Sequence, residues 1–398
     1  MGMIGKRLGT AGNHGQIEGV WTTDARGRKA MATIRKRTLP SGKDRWQVDF
    51  FDQAGKRRAK LFTRKKDADA FLVTARAQVA TGTYVHDAES ISLGEAAQAW
   101  LDHCATRRDT GRRMERATFR DYDDKVRLHI KDAEVGITTI KLSRLTRKEV
   151  NEFRDRLLAS GRSEAMVRKV LGVLRLILSH AMDNGQVPGN AAQGVKVLRA
   201  SRIDQKVAVP SKKDVKTLID NAVGRLRPLL IVSALCGLRA SEARGLRWQD
   251  VDFADGYLHI RQRADFYCEI GEPKSAAGHR SVPAGPMVLN ALREWKLACP
   301  KGEMDLVFPA NDGSVSDHNN TMRRHFKPLC QRHGIQTRWH DLRHFAVSLW
   351  IEQGFGIKEV MTFAGHSSVQ MTMERYGHMF PSPDHQKAMA QVEARLLG

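Results

Sequence analysis

Six residues in the second half of a 398-residue chain have the side-chain types that phosphoryl transfer needs: Arg239, Lys274, His340, Arg343, His366 and Tyr376. Two arginines can each present a planar fork to non-bridging phosphate oxygens. They would offset the negative charge of a pentacoordinate transition state. A lysine on a connection between strands can reach a leaving oxygen and protonate it. A histidine can accept a proton near neutral pH. A tyrosine is a suitable nucleophile, because a phosphotyrosyl ester keeps the energy of the bond it replaces. Its ordinary pKa near 10 calls for cationic neighbours that favour phenolate.

The sequence around each residue says how it would be held. Arg239 lies in Cys236-Gly-Leu-Arg-Ala-Ser-Glu-Ala-Arg-Gly245, between an apolar helix at 229–235 and a helix that Ser241 is expected to cap. Lys274 lies in Glu272-Pro-Lys-Ser-Ala-Ala-Gly-His-Arg280, expected at a tip joining two strands. His340-Asp-Leu-Arg-His344 opens a helix, and its His340 and Arg343, three apart, share a face. Gly365-His366 follows the next helix, at the expected cap of whatever comes after, and Tyr376 lies in Met373-Glu-Arg-Tyr-Gly-His378. His340 and His344 are four apart, as in a zinc motif, but Asp341 stands where a His-Glu-x-x-His protease has its glutamate. Of the five tyrosines, Tyr376 is the best placed nucleophile, whereas Tyr257 fits a packed strand.

These motifs resemble the tyrosine recombinases, or phage-type integrases. The resemblance rests on G-L-R-x-S-E at Arg239, K-S-x-x-x-x-R-x-V-P at Lys274, H-D-L-R-H at His340 and Arg343, Gly365-His366, and Tyr376 before Gly-His. It covers 211–380 well. It implies that Arg239, Arg343 and His366 clamp a scissile phosphate and that Lys274 is the general acid for a 5′-hydroxyl leaving group. It further implies that His340 is an acid/base and that Tyr376 forms a 3′-phosphotyrosyl link, with Glu242 and His344 in supporting positions. No cofactor and no metal are implied.

The elements that must position these residues can be read from periodicity and turn chemistry. The expected fold is multidomain and mainly α. Residues 1–30, with six glycines before Gly27, read as a flexible extension, and Met31 is a candidate start of translation. Residues 31–85 read as three strands (32–37, 46–51 and 56–62) followed by a helix capped by Thr63 and ended by Gly82. Residues 86–198 read as a bundle of four or five helices, with capping boxes at Ser92/Glu95 and Thr146/Glu149 and a long helix from about 163 to 182. Residues 199–210 read as a linker. Residues 211–398 read as an α+β catalytic domain, mostly helical with a small sheet. The family resemblance extends to these parts less specifically, as an arm-binding domain (31–85) and a core-binding domain (86–198). The tail after Ser382 reads as an amphipathic helix with Met389, Val392 and Leu396 on one face, which in the family packs onto a neighbouring subunit.

Charge points to the partner. The chain carries 66 Lys and Arg against 44 Asp and Glu, a net +22. Such an excess favours a polyanion, most simply double-stranded DNA. Between 31 and 66 there are twelve Lys and Arg and three Asp, a net +9, so a small sheet there could lie in a DNA groove. Arg107, Arg108, Arg112, Arg113, Arg116, Arg168, Lys169 and Arg175 of the bundle could grip phosphates or simply solvate its surface. No run of 18 apolar residues exists, which argues against a membrane span. No apolar leader is visible, and five scattered cysteines fit a reducing cytoplasm.

The expectation is therefore a site-specific recombinase that integrates or excises a mobile element, acting as a homotetramer on core and arm sites. A DNA-bending host factor and an excisionase are its implied partners. Two rivals remain at this level: a type IB topoisomerase, which shares the Arg/Lys/Arg/His/Tyr set, and a catalytically silent DNA-binding regulator of the same fold.

Overall fold

The computed structural model describes residues 20–23, 29–110, 114–198, 208–380 and 385–397. The chain divides into two compact units, one up to residue 200 and the other from 201. It is mainly helical, with small antiparallel sheets. Among the described residues, no helix is long and apolar enough to cross a membrane.

The first unit opens with an antiparallel sheet in the order β1 (Val20–Thr23), β2 (Lys29–Thr38), β3 (Asp44–Phe51) and β4 (Arg57–Phe62). The three expected strands are present. A fourth, β1, lies inside the stretch expected to be flexible and pairs Val20 with Ala32 through Thr23 with Lys29. Backbone pairing selects this strand, with no period in its side chains to announce it. Residues 1–19 and 24–28 lie outside the described residues. Helix α1 (Lys65–Ala80) packs on the sheet, where Ala32, Val48, Phe50, Ala68, Leu72, Ala75 and Tyr84 form the core. Its N-cap is Arg64, paired with Asp67, in place of the expected Thr63.

The opposite face of this sheet is cationic. Asp49 is buried there beneath Arg35 at 3.4 Å and Arg57 at 3.2 Å, and Gln47 links it to Arg37. One carboxylate thus spaces a set of exposed guanidinium groups.

Helices α2 (Leu93–Asp109), α3 (Arg116–Lys125), α4 (Arg147–Ala159) and α5 (Glu164–Asp183) form the bundle. Both expected capping boxes are made, at Ser92/Glu95 and Thr146/Glu149. Helix α5 buries Val167, Val170, Leu171, Val173, Leu174, Ile177, Leu178 and Ala181, the 3.6-residue period expected of a core helix. Arg175 donates to the carbonyls of Ala192 at 3.1 Å and Val195 at 2.6 Å, so it closes the bundle and is not available to phosphate. Arg112 and Arg113 lie outside the described residues, as does most of the expected linker.

The second unit is built around α7 (Leu226–Leu235), a mostly apolar helix surrounded by α6 (Lys212–Asn221), α9 (Pro286–Ala298) and α12 (Trp339–Glu352). Between α8 (Ala240–Gly245) and α9 the chain forms a three-stranded sheet, β5 (Val251–Asp252), β6 (Tyr257–Ile260) and β9 (Arg280–Pro283). The connection from β6 to β9 holds an unexpected hairpin, β7 (Arg263–Ala264) with β8 (Ile270–Gly271). Lys274 therefore follows a second hairpin rather than forming the tip of the expected one. Helices α10 (His318–Thr321) and α11 (Lys327–Arg332) precede α12. Helices α13 (Ile357–Ala364), α14 (Val369–Tyr376) and α15 (His385–Leu397) complete the chain.

Candidate active site

Three arginines meet at one helix end. The last carbonyls of a helix have no partner within it and carry its negative partial charge. At the C-terminus of α13, Phe363 O accepts from Arg280 Nε at 2.8 Å, Ala364 O from Arg343, and Gly365 O from Arg239 at 2.8 Å. Gly365 reverses the chain there in the left-handed region, at φ +60°. A Cβ at Gly365 would lie 2.9 Å from the Arg280 guanidinium and 3.0 Å from Ala277 O, so both backbone and space require glycine.

The arginines come from different elements. Arg239 is the N-cap of α8, in place of the expected Ser241, because Glu242 reaches back to its backbone N–H at 2.9 Å. Arg343 is the fifth residue of α12, 3 % exposed, and also donates to Gly237 O at 2.7 Å. Arg280 faces inward from β9 beside Val282.

Glu242 binds two of the three. It accepts from Arg239 at 2.6 Å and from Arg280 at 3.0 and 2.8 Å. Burial alone would raise its pKa. The hydrogen bonds and charge of Arg280, then the charges of Arg239 and Arg343, overcome this and bring it to about 2. Three guanidiniums around one carboxylate leave a net positive pocket. Arg239, whose side chain is 36 % exposed, is its open side.

The histidines are held neutral. His366 is pushed down to about 3 by burial, then by Arg343, Arg239, Arg375 and Arg280. His344 is pushed down to about 4 by burial, then by His340, Arg375 and Arg343. His340 precedes it on α12, rings 4.8 Å apart and edge to face, and is likewise lowered by desolvation and then by Arg343 and Arg375.

Tyr376 ends α14 with only 1 % of its surface exposed. Its hydroxyl lies 2.5 Å from His344 Nδ1, and its ring stacks on His366 with centroids 6.3 Å apart. Arg343 and Arg375 favour its phenolate, as the sequence suggested cations would. Burial outweighs them and raises its pKa, so the hydroxyl stays protonated.

Arg239, Arg343, His366 and Tyr376 are thus gathered in one place, with His340 one helical turn from His344. Lys274 is on the exposed segment between β8 and β9. The base of that segment is fastened to the site, because Gly278 O accepts from Arg280 at 3.0 Å and Ala277 O lies against Gly365.

Sequence reasoning missed Arg280, Thr372 and Arg375. For Arg280 a signal existed, since an arginine sharing the inward face of a strand with a valine must find a buried partner. Thr372 bonds to His366 across the α13–α14 junction, and no local pattern marks it. Among the described residues no three His, Cys, Asp or Glu side chains converge as metal ligands.

Such a cationic pocket, floored by neutral imidazoles and a buried phenol, can bind a phosphodiester and stabilise a more negative transition state. Residues 210–382 match the model of the phage integrase family. Across 380 residues the chain is 25 % identical to a XerC-like tyrosine recombinase of Caldanaerobacter subterraneus subsp. tengcongensis, covering 86 % of this chain and 94 % of that protein. Over 268 residues it is 27 % identical to the ICEBs1 integrase of Bacillus subtilis, covering 64 % of this chain and 72 % of the relative. In fold it is similar to residues 82–397 of the Tn1549 transposon integrase, solved with circular-intermediate DNA. That likeness has a TM-score of 0.62 at 17 % identity and covers 77 % of this chain and 99 % of the other.

Proposed function

We propose that this chain, whose residues 210–382 match the phage integrase family, is a site-specific DNA recombinase that integrates or excises a mobile element. The observation that carries the reading is the buried Tyr376 hydroxyl set beside an arginine cluster that shares a single carboxylate.

In the proposed reaction Arg239 and Arg343 bind the non-bridging oxygens of the scissile phosphate. Both are preorganised by main-chain carbonyls, so little reorganisation is needed as charge develops. Tyr376 attacks phosphorus through its phenolic oxygen. The P–O5′ bond breaks, Lys274 protonates the departing 5′-oxygen, and the 3′-phosphotyrosyl ester keeps the bond energy for rejoining. The phenolic proton passes to a histidine, with His340 as the acid/base and His344 holding the hydroxyl beforehand. Burial of Tyr376 and its raised pKa support a resting state in which the nucleophile is withheld until DNA occupies the pocket.

We assign residues 31–85 to arm sites, 86–198 to the core duplex, and 211–398 to chemistry, with 199–210 as the linker. The open face of the N-terminal sheet, with Arg35, Arg37 and Arg57 spaced around Asp49, suits a phosphate-lined groove. Exchange between two duplexes requires four cuts, hence four copies on DNA. The exposed Met389, Val392, Leu396 and Leu397 of α15 suit the proposed docking onto a neighbouring copy. A DNA-bending host factor and an excisionase are the further partners proposed, and the bacterial cytoplasm, where the DNA lies, is the proposed site of action.

The test is a nicked suicide duplex carrying the attachment site, incubated with wild type and with Tyr376→Phe. A covalent protein–DNA band given by wild type alone is expected. A band that persists in Tyr376→Phe would refute the choice of nucleophile. Tight DNA binding with no band from either protein would favour the silent regulator.

A further inference from the structure

His366 has two ring nitrogens, and the structure accounts for one. Its Nδ1 lies 2.9 Å from the Oγ1 of Thr372, with both residues buried, at 5 % and 0 % exposure. Two arrangements would fit that distance. In one the threonine hydroxyl donates to a bare Nδ1, and Nε2 carries the ring proton. In the other Nδ1–H donates to the threonine oxygen, and Nε2 is a lone pair. The two leave opposite groups at the end of the ring turned away from Thr372.

The threonine proton decides between them. A helical threonine ordinarily has a second acceptor, the carbonyl four residues back. Thr362 uses it, donating to Lys358 O at 2.8 Å in α13. Thr372 makes no such bond; among the described residues its hydroxyl has the imidazole alone. Were Nδ1 protonated, a fully buried hydroxyl proton would have no acceptor, the costly case for any buried donor. The hydroxyl therefore donates. The ring is also uncharged, because burial and four arginines exclude a fifth cation, so one nitrogen must be bare.

We propose that Thr372 is a positioning residue that fixes His366 as its Nε2–H tautomer, making His366 a neutral hydrogen-bond donor to a phosphate oxygen and not a proton acceptor. A neutral donor adds a directed hydrogen bond to the pocket without adding to the repulsion among the arginines. It also divides the labour. The tyrosine hydroxyl bonds His344, and His366 only stacks against the tyrosine ring, so proton transfer and phosphate binding fall to different histidines. The assignment of a phosphate to Nε2 rests on the recombinase reading; the tautomer does not.

The experiment uses the full chain with ¹⁵N-labelled histidine, the His366 signals being identified by their loss in His366→Phe. Near neutral pH, Nδ1 should show the shift of a bare ring nitrogen and Nε2 that of a protonated one. A protonated Nδ1 in the wild type would overturn the proposal without reference to any activity. Thr372→Val, which keeps the shape, should give averaged shifts. It should also slow single-turnover cleavage of the suicide duplex about tenfold at unchanged DNA affinity, and Thr372→Ser should restore both. A Thr372→Val protein with wild-type shifts and rate would sink the idea. Should wild type form no covalent complex, the recombinase reading fails, while the spectrum still decides the tautomer.

Discussion

Replacing Glu242 with glutamine removes the one negative charge among three guanidiniums. The carboxylate accepts from the Arg239 backbone and side chain and twice from Arg280, and it is 3 % exposed. Glutamine keeps the shape, but its amide nitrogen would face donors. Moving the carboxyl from 4.5 to about 2 corresponds to roughly 3 kcal/mol of folding stability. That agrees with the ~3–5 kcal/mol measured when one partner of a buried ion pair is removed. At about 2–4 °C per kcal/mol for a unit near 200 residues, Glu242→Gln should melt about 6–12 °C below wild type at pH 7. The folded-state pKa is depressed, so this stabilisation is fully present above pH 4.5 and is lost as pH falls toward 2. The melting difference should therefore be flat from pH 8 to pH 5 and narrow only below that. Thermal melts followed by circular dichroism across this range give the answer. A difference under about 1 kcal/mol at pH 7, or one that closes above pH 5, would refute the view of Glu242 as the charge that holds the cluster together.

Three other outcomes follow from the same geometry. Gly365→Ala forces a Cβ against the Arg280 guanidinium in a left-handed conformation, so it should cost about 1–2 kcal/mol or more and lower covalent-complex yield at least tenfold, read by melts and the suicide-duplex gel. Arg37→Ala on the open face of the N-terminal sheet should weaken arm-site binding and reduce its salt slope by about 1, with core-site cleavage unchanged, as titrations at several salt concentrations would show. Deleting 382–398 removes the exposed apolar face of α15 and should lower recombination more than DNA binding; equal loss of both in gel-shift and recombination assays would count against docking by the tail.

What the sequence made legible was local. Ser92 and Glu95 satisfy each other within one turn, and the apolar period of α5 survives any environment, so both were readable from a few residues. The side chains proposed to react were singled out because their types are informative and their motifs short. Their anchoring was not. Arg280 meets Phe363 and Arg239 meets Gly365 across 83 and 126 positions of chain, and no window of sequence spans such pairs. Ser241 looked like a cap because serine often is one; Glu242 took the role by reaching back to Arg239. Arg175 read as a phosphate ligand or a solvated surface residue because nothing in the sequence marks its bonds to the carbonyls of Ala192 and Val195. Cations near Tyr376 were foreseen, but the burial that overrides them is a property of packing.

The end of α13 also bears on the order of synthesis. Arg239, Arg280 and Arg343 precede residues 363–365 in the chain, and Tyr376 follows them. A nascent polypeptide that has reached residue 355 already carries all three arginines, yet it lacks the carbonyls of 363–365 that gather them and Tyr376, the proposed nucleophile. Of the contacts described above, its guanidiniums keep those to Glu242, Gly237 and Gly278. The anchoring carbonyls and the proposed nucleophile Tyr376 are added together, between residues 363 and 376. Chains stopped before residue 363 would therefore lack both the assembled arginine cluster and the proposed nucleophile.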